Sequence, residues 1–317
     1  MTKGFEMGVT RQCTKGWGRI ALRLALAAVV VAAPAVLVAC GGSAASPASS
    51  VTVTATATSQ QSPSASASAS SAASPNSAPT TTLSVYFLRP IGGAQPSHGP
   101  FIATAHRLVA ATKTPAGAAV RALLAGPTAR EKAIGMTTAI PAGPTLRSLT
   151  ISAGVATVDL SGAFLQAAPA NGAAAQVVYT LTRFPTVGRG VLIKVNGAPL
   201  AVSGGGSARK RADYESVTPP IFVESPAPFD VVTSPLKVAG TADVFEATFQ
   251  ARLSDSAAHR LAGGVETASS GSGTRGVFSF SLPFTAGAGA GRLVCFDASA
   301  ENGASLHTVS IPLTFTH

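Results

Sequence analysis

From Phe245 to Leu253 every odd-numbered residue is apolar and every even-numbered one is polar. That is the period of a strand with one buried face. Val309, Ile311, Leu313 and Phe315 repeat it against Thr308, Ser310, Pro312 and Thr314, and Phe278, Phe280 and Leu282 form another inward set. Ile221–Glu224, Leu236–Gly240, Leu261–Thr267 and Leu293–Asp297 bring the total to about seven short strands separated by turn residues. Residues 217–317 therefore read as an all-β, immunoglobulin-like sandwich, without the core disulfide and Trp of antibody domains.

Upstream, the pattern is mixed. Ser84–Leu88 and Arg107–Ala111 read as strands. Thr114-Pro115 reads as an N-cap and first helical residue, with Ala116, Val120, Leu123 and Leu124 on one stripe and Gly126-Pro127 as a stop. Thr128 and Glu131 have capping-box spacing for a short helix ending near Gly135. Leu149–Ser152 and Val155–Leu160 form a predicted hairpin around Ala153-Gly154. Ala174, Val177, Val178, Leu181 and Phe184 mark one face of a second helix. Val191, Ile193 and Val195 alternate as a strand into the hairpin signal Asn196-Gly197. Residues 83–200 are thus predicted to be an α+β domain, a mixed sheet with two main helices. Residues 201–216, with Gly204-Gly205-Gly206 and Arg209-Lys210-Arg211, read as a flexible linker.

The first 82 residues carry neither pattern. Residues 1–40 have a basic start, an apolar run from Leu24 to Val38 and small residues before Cys40, the order of a secretory signal. A transmembrane anchor is the alternative, but the run falls short of the roughly 20 residues needed to span a bilayer. No basic cluster follows it. Leu37-Val38-Ala39-Cys40 resembles the bacterial lipobox, which implies fatty acylation of Cys40 and an anchor on the outer face of the cell membrane. Residues 41–82 contain no charge and are rich in Ser, Ala, Thr and Pro, the composition of a disordered stalk.

Cysteine use agrees with that reading. Cys13 lies in the segment to be removed, and acylated Cys40 leaves Cys295 without an intrachain partner. The chain's +10 charge is uneven. Residues 83–200 hold ten Lys/Arg against two acids, net +8, whereas residues 217–317 carry net −3. A basic, membrane-proximal domain is suited to anionic lipid or wall polymer; scattered surface cations that keep it soluble are the equal alternative. Arg121, Arg130 and Lys132, on or beside the two helical segments, are the candidate anionic-surface contacts. No aromatic–basic motif points to nucleic acid.

Catalytic and metal signatures are absent from the sequence. There is no HExxH, CxxC or GxSxG, and His98, His106, His259, His307 and His317 are scattered. Asp159 and Glu246 read as structural or solvent-facing carboxylates, and Cys295 as buried filler. No cofactor, metal or catalytic residue is expected, and the chain is not read as an enzyme.

Two resemblances organise these pieces. Leu123-Leu124-Ala125-Gly126-Pro127, Glu131, Gly135, Ile140-Pro141, Val155–Ser161 and Gln176–Thr182 resemble the GerMN domain of sporulation and germination proteins and actinobacterial lipoproteins. Ser225–Pro228, Ser234-Pro235-Leu236, Val238, Gly240, Ala242, Phe245-Glu246 and Ile311-Pro312-Leu313 resemble the Gmad2 domain, an immunoglobulin-like module that often follows GerMN. Two departures from that second pattern stand out: Phe229 where a turn Gly is expected, and Ala258-His259 for an Asp-Gly turn. The resemblance implies a non-catalytic envelope protein related to modules that assemble extracytoplasmic complexes. Other envelope proteins are then its expected partners, and an anionic polymer or glycan receptor is the competing reading.

Overall fold

The computed structural model describes residues 79–95, 97–201 and 206–316. The predicted signal segment, Cys40 and the stalk up to residue 78 lie outside them, as does His317. The stalk boundary at residue 82 shifts, because the first strand already begins at Thr80.

The first domain has six strands and three helices. Strands β1 (Thr80–Arg89) and β2 (Phe101–Ala110) pair antiparallel along their whole length. Helices α1 (Pro115–Leu124) and α2 (Ala129–Ala133) follow; α2 is opened by the predicted Thr128/Glu131 capping box. Next come β3 (Leu146–Ser152), β4 (Val155–Leu160), α3 (Ala170–Leu181), β5 (Gly190–Val195) and the short β6 (Ala198–Pro199). They form a sheet ordered β3-β4-β5-β6, in which β4 and β5 are parallel and α3 is the crossover. This is the α+β domain expected, with two local revisions. The second strand begins at Phe101 rather than Arg107. Helix α3 is not one-faced: every residue from Gly172 to Leu181 is buried, because β1 and β2 cover one side and α1 and β5 the others.

The second domain is the predicted β-sandwich. Its strands are β7 (Ile221–Ser225), β8 (Val231–Val232), β9 (Leu236–Ala242), β10 (Thr248–Asp255), β11 (Arg260–Thr267), β12 (Gly276–Leu282), β13 (Gly289–Ala298) and β14 (Ser305–Phe315). A five-stranded sheet, β11-β10-β13-β14-β8, faces a three-stranded one, β12-β9-β7. Phe249, Phe278, Leu253, Leu293, Ile311 and Phe315 fill the space between them. Within the three-stranded sheet, Gly240 of β9 leaves room for its neighbours: a Cβ there would stand 2.0 Å from the Phe222 carbonyl oxygen of β7 and 2.6 Å from the Phe278 ring of β12.

One turn differs from expectation, and two others take a glycine-like conformation without glycine. Alternation at Phe245-Glu246-Ala247 does not make strand. Glu246 and Ala247 take positive φ (53° and 57°) in a 3-10 turn, and Phe245 is 67% exposed. Phe229 and Ala258, the two departures from the Gmad2 pattern, hold φ of 71° and 65°, so a side chain occupies the conformation that favours glycine.

Candidate functional site

The catalytic residue types are dispersed. Among the described residues no group of three or more His, Cys, Asp or Glu could hold a metal. Cys295 is buried in β13, and burial, then Glu266, pushes its thiol up to about 12. Such a thiol is inert at neutral pH. Asp159 accepts the Gly197 amide at 2.9 Å and Arg147 Nε at 3.2 Å, which ties the β5–β6 turn to β4. Its role there is structural. Glu246 is exposed in its turn.

A polar and aromatic seam joins the two domains. Tyr86 of β1, Tyr179 of α3 and Phe222 of β7 form a triangle with ring centroids 5.6–6.1 Å apart. Arg211 enters it from a 3-10 segment, Arg211–Val217. Its guanidinium lies 4.7 Å from the Tyr179 ring and ion-pairs with Glu224 of β7. Its Nε donates to Thr182 Oγ1 at 2.8 Å, and Nη2 donates to the Tyr179 carbonyl at 3.1 Å and Tyr86 Oη at 3.2 Å. Burial and the Glu224 charge hold the Tyr86 phenol well above its usual pKa. Burial alone would lower Arg211, but Tyr86 and Glu224 outweigh it and keep the guanidinium charged. Farther along the seam, His106 Nδ1 lies 2.9 Å from Asp230, and Arg89 Nη1 donates to the Ser310 carbonyl at 2.7 Å.

The flexible-linker expectation for 201–216 therefore does not hold over its C-terminal part. Arg209 exchanges both backbone hydrogen bonds with Val191, and Arg211 is the hub of the seam. Charge suggested solvent here; the partners that hold Arg211 are distant in sequence.

The surface feature with the properties of a binding site is a groove of about 420 Å³ between α1 and β3. Leu146, Leu149, Ile151 and Phe184 supply apolar walls, and Lys113, Arg121 and Arg147 line it with no acid among them. Leu149 and Ile151 pair with the fully buried Val158 and Ala156, so they lie on the core side of the sheet. The helix layer leaves this margin uncovered, and Ile151 is 39% exposed. Both acids of the first domain are already engaged. Glu131 holds Arg107 in a two-pronged pair at 2.5 and 2.7 Å, and Asp159 faces Arg147. Arg121 and Lys113 are exposed and have no ion pair among the described residues.

The three candidate contacts have different surroundings. Arg121 joins Lys113 and Arg147 in the groove. Arg130 stacks on Phe229 of the second domain, 3.9 Å from the ring centroid. Lys132 is exposed on α2. Lys113, Arg147 and Phe184 come from three separate segments, and nothing in the local sequence marks them as neighbours.

The domain order seen in the fold also appears in comparisons with known families. Residues 84–201 match the Germane family, described as "Sporulation and spore germination". Residues 220–304 match Gmad2, "Immunoglobulin-like domain of bacterial spore germination". The chain thus carries a Germane (GerMN-like) domain followed by a Gmad2 domain, both from germination-related families. Among solved structures, the first GerMN domain of the sporulation protein GerM from Bacillus subtilis is 18% identical, with a TM-score of 0.32; the match covers 41% of this chain and 95% of that one. The tandem GerMN domains of the same protein are 15% identical, with a TM-score of 0.35, over 65% of this chain and 62% of that one. No curated protein matches this chain.

Proposed function

We propose that this chain is a lipid-anchored protein of the outer face of the cell membrane, where it serves as a non-catalytic module in an assembly of envelope proteins. The observation that carries this reading is the pairing of two germination-related domain families in one chain, in the order Germane then Gmad2. The Leu37–Cys40 lipobox-like sequence supports the anchor. Cys40→Ala should abolish labelling by a clickable fatty acid and leave a precursor of higher mass. Unchanged labelling of that variant defeats the anchor. Crosslinking in intact cells should move the chain into adducts of defined mass; a chain that stays monomeric under crosslinking defeats the assembly.

A second reading is a receptor for an anionic envelope polymer or lipid surface, favoured by the +8 charge of residues 83–200. Salt separates the two. Contacts of exposed charges are screened over about 8 Å at physiological ionic strength, so polymer binding should fall steeply as salt rises. A packed protein interface should persist.

A further inference from the structure

We propose that the groove between α1 and β3 receives an extended, acidic polypeptide segment of a partner protein, which adds to β3 as a new edge strand. This deepens the assembly reading and rests on it. Strand β3 ends its sheet. The two-residue turn Ala153-Gly154 makes Ser152 and Val155 a hydrogen-bonded pair, and antiparallel alternation then directs the amides and carbonyls of Leu149 and Ile151 away from β4. Among the described residues, no backbone bond reaches these outward groups.

Three properties of the groove select the occupant. The outward amide and carbonyl groups of β3 are matched by another polypeptide strand, the mode of β-augmentation. Leu146, Leu149, Ile151 and Phe184 offer apolar contact to alternate side chains of that strand. Arg147 is paired with Asp159, but among the described residues Lys113 and Arg121 have no ion pair, so acidic side chains complement them. A polyanion or a lipid headgroup satisfies the charge alone and leaves the strand edge open. At about 3.4 Å per residue, a segment of roughly seven residues matches the seven of β3.

The test uses the full chain in detergent micelles and a fluorescent, end-blocked octapeptide of alternating Val and Glu. Two comparators are the same peptide N-methylated at alternate amides, and inorganic polyphosphate of matched charge. Binding of the octapeptide should weaken at least tenfold in the Lys113→Gln/Arg121→Gln double variant. N-methylation should weaken it equally at unchanged charge. Ile151→Pro removes one outward amide and should do the same, since proline is tolerated on the open side of an edge strand; if circular dichroism shows that variant unfolded, the other two arms decide. The proposal is overturned if wild type does not bind the octapeptide at millimolar concentration, if N-methylation is without effect, if polyphosphate binds as tightly, or if the double variant binds normally. Failure of the peptide in a chain that still forms crosslinked adducts removes the groove alone, whereas a chain that stays monomeric removes the assembly reading.

Discussion

The guanidinium of Arg130 lies 3.9 Å from the centroid of the Phe229 ring, joining a short helix of the first domain to a positive-φ turn of the second. A bulky residue at φ 71° is strained by about 1–3 kcal/mol. The ring's contact with Arg130 is one interaction that offsets that cost. A double-mutant cycle of Arg130→Gln and Phe229→Leu should yield a coupling of about 0.5–1 kcal/mol in chemical denaturation. A coupling indistinguishable from zero removes this contact as a tie between the domains.

Arg211 predicts a protection pattern. Its charge is half-buried among Tyr86, Tyr179 and Glu224, and Arg209 is hydrogen-bonded to Val191. Native trypsin digestion followed by mass spectrometry should therefore show no early cut at Arg209, Lys210 or Arg211. Arg211→Gln leaves the half-buried Glu224 without its cation and should cost about 1–3 kcal/mol. Early release of a stable first domain ending at this stretch from wild type contradicts the seam.

Gln176 holds the first domain's interior polar groups. Its Oε1 accepts the Ala139 amide at 2.8 Å, and its Nε2 donates to the Tyr86 carbonyl at 3.1 Å, with no exposure to solvent. Gln176→Leu strands both buried backbone groups, at about 1–3 kcal/mol each. The expected readout is a lowered denaturation midpoint with an unchanged slope; a midpoint equal to wild type argues against this bond network.

Acid should loosen the Arg107–Glu131 clamp. Burial alone would raise the Glu131 pKa, but hydrogen bonds from Arg107 and Thr128, together with the Arg107 charge, hold it below the usual carboxylate value. A depressed folded-state pKa contributes stability that is present above the unfolded value, about 4.3, and is lost as pH falls through the folded value. The stability gap between wild type and Glu131→Gln should be full at neutral pH and shrink below about pH 4. A gap constant down to pH 2 contradicts this assignment.

Local chemistry made much of this fold legible. The Thr128/Glu131 box and Asn196-Gly197 each specify backbone geometry within four residues and formed as read, whereas Thr114-Pro115 opens α1 at the expected place without a side-chain cap bond from Thr114. Alternation failed where backbone conformation overrode it: Phe245–Ala247 keeps the strand pattern, but two successive positive φ angles turn it outward. The start of β2 was hidden because two of its buried positions are the polar Thr104 and the small Ala105, which carry little apolar signal. The seam and the groove were illegible for another reason. Arg211 meets Tyr86, which lies 125 residues away in sequence, and the groove gathers Lys113, Arg147 and Phe184 from three segments. A charged residue's sequence neighbours do not report such partners.

Assembly in the envelope through a lipid-anchored, two-domain module is tested by the native mass of the chain extracted from membranes in mild detergent, determined by size-exclusion chromatography with light scattering. The wild-type chain should elute in a complex of defined mass well above that of the monomer, and that complex should persist as salt rises. The Cys40→Ala chain should be absent from it. A wild-type chain that elutes as a monomer at every salt concentration rules out that assembly.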